Sequence, residues 1–131
     1  MIDYLNPEGW ARPKGYSNVV SGHGRQVFVA GQIGWNEREQ FETDDFAGQV
    51  RQALSNIKAC LAAAGAEPHH LVRLTWYVTD KREYLNQLSE VGAAYRETLG
   101  RVFPAMALVQ VVELVEDEAK VEIEATAVVP D

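Results

Sequence analysis

Two glutamates near the end of the chain, Glu122 and Glu124, are candidates for acid–base chemistry. They are two residues apart in a predicted strand whose alternate positions are apolar, so both carboxylates point to the same face of the sheet. Such a face is either solvated or carries a carboxylate that orients water in a cleft. The pattern alone favours the solvated face, and a catalytic role requires the fold to supply a cleft.

Met106 raises a second question, because it stands in the stretch RVFPAMALVQV, which is apolar at nearly every position. Two aromatic residues earlier in the chain, Tyr16 and Trp35, are packing or surface residues by default. Either is equally suited to form a wall of a site for a small planar ligand. These residues matter only if the secondary structure brings them together.

Residues that bind metals or act as nucleophiles are sparse. His69 and His70 are adjacent and diverge on any regular element, and His23 is alone in a glycine turn. Cys60 lies beside an apolar helical stripe with no activating base, so we interpret it as a packing residue. The phosphate-loop, CxxC, HExxH and GxSxG motifs are absent. We therefore expect no metal site at these residues.

Apolar periodicity predicts the element order β-β-α-β-α-β-β. The stretches YSNVV and QVFVAGQI, joined by SGHGRQ, predict a hairpin. A helical stripe between Asp44 and Ala64 predicts a helix capped by Thr43 or Asp44 and ended by Gly65. A second predicted helix spans 81–100, and one face of it carries Leu85, Leu88, Val91, Tyr95 and Leu99.

Strands are predicted over 70–80, 105–114 and 120–129. The whole pattern predicts one α+β domain over residues 1–131, with a mixed sheet covered by two helices on one face. The strand that contains Met106 has apolar residues on both faces, so its second face needs a partner. We therefore expect a homo-oligomer.

Composition excludes several classes of protein. The chain has 131 residues, 47% hydrophobic and 24% charged, with one cysteine, as expected for a globular domain without disulfides. A net charge of −7 disfavours nucleic acid as a partner. Without a signal-like segment or a long apolar run, the chain is expected to be cytoplasmic and to have no membrane partner.

Six stretches together resemble the reactive intermediate deaminase (Rid) family, whose older members were labelled L-PSP endoribonucleases. They are YSNVV, VFVAGQIG, QVRQALSNIKACLAAAGA, LVRLTWYVTD, FPAMALVQV and KVEIEATAVV, and the similarity covers about residues 16–129. The resemblance implies a chorismate-mutase-like fold and a homotrimer packed around a central barrel of sheets. It also implies small-molecule sites between subunits, in which enamines and imines are hydrolysed to ketoacids and ammonia without metal or cofactor.

The resemblance assigns roles to three residues of this chain. Tyr16 matches the family's site tyrosine, Gly31 matches a glycine that contributes its backbone, and Glu122 matches the glutamate that orients water. Trp35 is added from its place after GQIG. The expected site therefore combines residues from both ends of the chain.

At one position this chain departs from the family's deaminases. They carry an arginine in a PAR motif that clamps the substrate carboxylate, whereas this chain reads Pro104, Ala105, Met106. A thioether has no charge and no donor with which to replace a guanidinium. Leu108 stands where a cysteine is common, so this wall of the pocket is expected to be apolar. Arg101 and Arg38 are the remaining candidates to bind the substrate carboxylate in place of the family's arginine.

Three functions remain open from the sequence. The first is an imine deaminase-like hydrolase acting on a substrate other than small iminoacids, with Glu122 positioning water. The second is a trimeric protein that binds a small ligand without turnover. The third is an endoribonuclease, which the acidic charge and the lack of a catalytic histidine constellation make the least favoured.

Overall fold

The computed structural model describes all residues from 1 to 131. Its elements are, in chain order, β1 (Ile2–Leu5), β2 (Val19–Gly22), β3 (Arg25–Ile33), α1 (Phe46–Ala63), a 3-10 turn (Pro68–His70), β4 (Leu71–Val78), α2 (Lys81–Asn86), α3 (Leu88–Leu99), β5 (Ala105–Gln110) and β6 (Val121–Val129). Four strands form the main sheet in the order β3-β6-β4-β5. Strand β6 is antiparallel to both of its neighbours, and β5 is parallel to β4. The mixed sheet and the α+β class are therefore as predicted.

The predicted hairpin between β2 and β3 is wrong. Strand β2 pairs antiparallel with β1, at residues for which no strand was predicted, and β3 pairs with β6 instead. Gly24 lies between the two strands with a φ of 151°, and a Cβ there would lie 2.8 Å from the carbonyl carbon of Val129. The glycine-rich link therefore lets the chain leave one sheet and enter the other, where local turn rules alone favour a hairpin.

Helix α1 supplies most of the core. Its predicted apolar stripe is at most 1% exposed, and consists of Phe46, Val50, Leu54, Ile57 and Leu61. Burial of each such side chain stabilises the fold by roughly 1.5–3 kcal/mol. The alternating residues of β6 lie against this helix as predicted, because Val121, Ile123, Ala125 and Ala127 are all buried.

The N-cap of α1 is Asp45, one residue later than predicted. Its carboxylate accepts the backbone N–H of Gly48 at 2.9 Å. The Thr43 hydroxyl instead accepts the N–H of Asp45 at 3.0 Å and so orients the cap. Asp45 therefore caps the helix directly, and Thr43 contributes by holding the backbone of Asp45.

The second predicted helix is divided at Gln87. The side-chain oxygen of Gln87 accepts the N–H of Ala47, in the first turn of α1, at 3.0 Å. Gln87 itself has non-helical dihedral angles of φ −124° and ψ 30°, which separate α2 from α3. As a result Leu85 and Leu88 are about half exposed, contrary to the predicted stripe, while Val91 and Leu99 are buried. No helix is long and apolar enough to cross a lipid bilayer.

The helices cover one face of the sheet and leave the other open. Phe28 on the open face is 72% exposed. Strand β5 is an edge strand, and only its first residue, Ala105, has a further neighbour, Ser17. Val109 of this strand is 44% exposed. Apolar side chains and unpaired backbone groups are therefore presented along one edge and one face.

Candidate active site

Glu122 lies against the backbone of Gly31. A Cβ at Gly31 would be 2.8 Å from Cδ of Glu122, so only a glycine leaves room for this carboxylate. The close approach occurs at a β-bulge, where the register of β3 against β6 shifts between Val29 and Gln32. A bulge leaves backbone groups outside the ladder and changes the direction of nearby side chains. The fold thus places a carboxylate beside irregular backbone, at the two positions that the family resemblance singles out.

Glu124 is on the same side of β6 but is already engaged. The Tyr77 hydroxyl donates to its Oε1 at 2.6 Å, and this hydrogen bond raises the pKa of Tyr77. Neither of the two salt bridges in the chain involves Glu122, and no side-chain hydrogen bond holds it. The two glutamates therefore differ in freedom: Glu124 is a partnered carboxylate, and Glu122 is available to bind water.

Met106 borders a pocket of about 360 Å³ between α3, β4 and the β5 edge. Seven of its eleven lining residues are hydrophobic. The ring of Trp76 stacks on Tyr95, with centroids 6.5 Å apart, and meets Tyr84 edge to face at the same distance. Burial raises the pKa of Tyr95, whose hydroxyl donates to the carbonyl of Val102 at 2.7 Å. The pocket is consequently an aromatic box formed by Trp76, Tyr84 and Tyr95.

Two arginines, Arg96 and Arg101, also line this pocket. Its lining contains no carboxylate, and neither arginine takes part in a salt bridge. Of the two residues expected to form an apolar wall, Met106 lines the pocket and Leu108 does not, and the only charged lining residues are the two arginines. Arg38, the other replacement named from the sequence, does not line it. Arg96 was not among the residues predicted from the sequence, although Leu88, Gly92 and Arg96 recur at the four-residue spacing of one helical face.

Tyr16 is held beside the start of β5. Ser17 donates its backbone N–H to the carbonyl of Pro104 at 3.1 Å and its hydroxyl to the carbonyl of Phe103 at 2.6 Å. The neighbouring Gly15 lines the Met106 pocket, and Tyr16 is 39% exposed. The structure therefore brings Tyr16 and Met106 to the same sheet edge.

Trp35 and Leu108 lie outside that pocket. Trp35 follows β3, and its ring is 5.8 Å from that of Phe41. Leu108 pairs with Trp76 in the sheet and packs against the core as a partly buried residue. Within one chain, Trp35 is on the β3 side of the molecule with Gly31, and Leu108 supports the strand that carries Met106.

Within a single chain, Glu122 and the Met106 pocket are separated by the sheet. Glu122 is in register with Tyr77, whose side chain is on the open face, while Met106 is in register with the buried Leu74. Strand β4 also lies between β6 and β5, which adds about 10 Å of lateral distance. One face of the sheet therefore carries a carboxylate that can orient water, and the other face carries an aromatic pocket lined by two arginines.

Comparisons with known proteins cover nearly the whole chain. Residues 10–129 match the family described as Endoribonuclease L-PSP. The chain is 37% identical over 108 residues to a 2-iminobutanoate/2-iminopropanoate deaminase of Escherichia coli, covering 80% of each protein. A crystal structure of a Rid family protein of unknown function from Yersinia pestis superposes with a TM-score of 0.86 at 32% identity, covering 98% of each chain. A structure of Escherichia coli TdcF with bound serine gives 0.68 at 31% identity, covering 92% and 91%.

These similarities run through both halves of the candidate site, since the matched residues include Tyr16, Gly31, Met106 and Glu122. Three independent comparisons agree on one group of proteins, and the fold agrees with its solved structures. The chain belongs to the Rid family, also called the YjgF/YER057c/UK114 family.

Proposed function

We propose that this protein is a hydrolase of the enamine/imine deaminase type that acts in a cleft between the subunits of a homotrimer. The observation that carries the proposal is the free Glu122 carboxylate beside the Gly31 bulge. The related Escherichia coli deaminase supports the reaction class. No metal and no cofactor are needed for this chemistry.

The reaction adds water to a C=N bond. Glu122 accepts a proton from water as the water oxygen attacks the carbon of the protonated imine, which gives a neutral carbinolamine. Glu122 then returns this proton to the nitrogen. As the C–N bond breaks, the hydroxyl gives its proton to the departing ammonia, and a ketoacid and an ammonium ion are released. General base catalysis of this kind contributes about 10²- to 10⁴-fold to a rate.

Assembly would join the two halves that one chain keeps apart. A second subunit would bring its Glu122 and Gly31 to the β5 edge of the first, where Tyr16 and Met106 lie. The exposed Phe28 on the open sheet face and the unpaired β5 edge support such packing, because both need a partner. In that arrangement Trp35 would approach the ligand from the side of the second subunit.

The decisive experiment compares Glu122→Gln with Glu124→Gln. The two residues share a strand and a face, and both substitutions remove one charge without changing size. We expect Glu122→Gln to lower kcat/KM for imine hydrolysis by about 100-fold or more, and Glu124→Gln by less than about threefold. The imine is formed in the assay by an amino acid oxidase, and ketoacid release is measured.

Equal effects of the two substitutions would overturn the role of Glu122. A wild-type protein that binds ketoacids but does not hydrolyse imines would instead be a small-ligand-binding protein. Cleavage of RNA that survives Glu122→Gln would revive the endoribonuclease, the least favoured of the three functions.

A further inference from the structure

We propose that Arg101 and Arg96 together replace the carboxylate clamp that Met106 lacks, and that the pocket selects imino acids with a large apolar or aromatic side chain. This inference rests on the proposed function, because it names the substrate class of the same site. It follows from the charge, the shape and the unpaired donors of the Met106 pocket.

The charge of the pocket is opposite to that of the protein. The chain carries a net charge of −7, yet the only charged residues that line the pocket are Arg96 and Arg101. By contrast, Arg51 forms a salt bridge with Glu97 at the surface. Two guanidinium groups without a carboxylate partner, next to apolar walls, are a site for an anion.

Gly92 makes room for one of these groups. A Cβ at Gly92 would lie 3.1 Å from Nη1 of Arg96, so the guanidinium is folded back over this glycine. Gly92 itself lines the pocket. The charged end of Arg96 therefore lies at the pocket rather than extending away from the helix. Arg101 follows α3 and lines the same pocket.

The pocket is larger than a small substrate needs. A volume of about 360 Å³ corresponds to about a dozen water-sized groups, of which a three-carbon imino acid fills about half. The remaining space is bounded by aromatic and aliphatic side chains, among them Trp76, Tyr84 and Phe103. A phenyl, indole or branched aliphatic group fills that space and removes its surface from water.

One further donor lacks a protein partner. The Nε1 of Trp76 is the one buried side-chain nitrogen or oxygen in the chain without a hydrogen bond, and Trp76 lines the pocket. Buried donors are almost always satisfied in native proteins. Because this nitrogen has almost no exposed surface, Trp76 would have to shift for an acceptor atom of the ligand to reach it.

The test measures binding of two ketoacids, phenylpyruvate and pyruvate, by calorimetry. We expect phenylpyruvate to bind the wild-type protein at least about tenfold more tightly than pyruvate, because only its ring buries against the box. Arg101→Gln and Arg96→Gln should each weaken phenylpyruvate binding by about tenfold or more, the cost of a charge-assisted pair. The neutral ketone phenylacetone should bind weakly and equally to all variants.

Arg38→Gln is the matched control, because it makes the same substitution at an arginine that does not line the pocket. It should leave phenylpyruvate binding within about twofold. If Arg101→Gln and Arg96→Gln behave like Arg38→Gln, or if pyruvate binds as tightly as phenylpyruvate, the inference is overturned.

The same variants separate this inference from the proposed function. Arginine-dependent binding of phenylpyruvate without hydrolysis of any imine would leave the pocket assignment intact and remove the enzyme. Imine hydrolysis that neither arginine affects would leave the enzyme intact and remove the pocket assignment.

Discussion

Substitution of Gly31 by alanine should damage catalysis while leaving the fold intact. A methyl group there would lie 2.8 Å from Cδ and 3.0 Å from Cγ of Glu122, both in a flexible side chain. The carboxylate can rotate away at little cost in stability, but it then leaves the position beside the bulge. Because a displacement of about 1 Å can cost about 100-fold in rate, we expect a fall in kcat/KM of that size.

Gly34→Ala is the control with the opposite profile. Its methyl group would lie 2.6 Å from Cβ and 2.8 Å from Cα of Gln49. Gln49 is fully buried, and its amide binds the backbone of Thr43, Glu118 and Lys120. Neither the helix backbone nor this amide can move freely, so overpacking should cost about 1–3 kcal/mol and lower the Tm by roughly 3–12 °C.

Thermal unfolding and imine hydrolysis, measured on both variants and the wild type, test the contrast. Light scattering shows whether Gly31→Ala keeps the assembly, so that a loss of rate is not a loss of subunits. A Gly31→Ala protein with a normal Tm and a normal rate would show that the position of Glu122 beside the bulge is irrelevant to turnover. A Tm as low as that of Gly34→Ala would show that the bulge is structural.

Three further outcomes are expected. Light scattering at micromolar concentration should give three times the monomer mass of 14.6 kDa, and a monomer would remove the intersubunit site. Wild-type protein should be a poor deaminase of 2-iminopropanoate. Met106→Arg should shift its preference toward this small substrate by roughly tenfold, because the new guanidinium fills part of the aromatic box. Wild-type turnover equal to that of an arginine-bearing Rid deaminase would contradict this prediction. His70 accepts the N–H of Glu67 through Nδ1, and burial, with His69 nearby, lowers the pKa of His70. The unfolded chain therefore binds the proton first as pH falls, and the stability of the fold decreases below the ordinary histidine pKa. His70→Gln, which keeps a hydrogen-bond acceptor, should lose less Tm than the wild type between about pH 8 and about pH 5.

Secondary structure and burial were predicted most accurately for elements whose apolar residues follow a single periodicity from end to end. The stripe of α1 and the alternation of β6 are both buried as expected, since each face meets a single core. The pairing of β2 was not predictable from the turn that follows it, because β2 pairs instead with β1, on the far side of residues 6–18. The break at Gln87 likewise depends on a contact with Ala47, forty residues away.

Some residues of the candidate site were likewise predictable from the sequence, and others were not. Glu122 follows from strand alternation together with the family resemblance, and Arg101 was already a candidate. Arg96 was missed, because its role depends on the guanidinium folding over Gly92, which is a matter of three-dimensional packing. Periodicity places Arg96 on a helix face but does not show that the face borders a cavity.

The separation of Glu122 from Met106 by a sheet also has a genetic consequence. In the proposed trimer each subunit contributes its Glu122 carboxylate to the site shared with one neighbour and its Met106 pocket to the site shared with the other. A substitution in the pocket therefore leaves the carboxylate of the same chain functional, and the reverse also holds. Two alleles that each impair every site of their own homotrimer, such as Glu122→Gln and Arg101→Gln, would complement one another when expressed together. With random mixing of equal amounts, about a quarter of the sites would receive two sound halves.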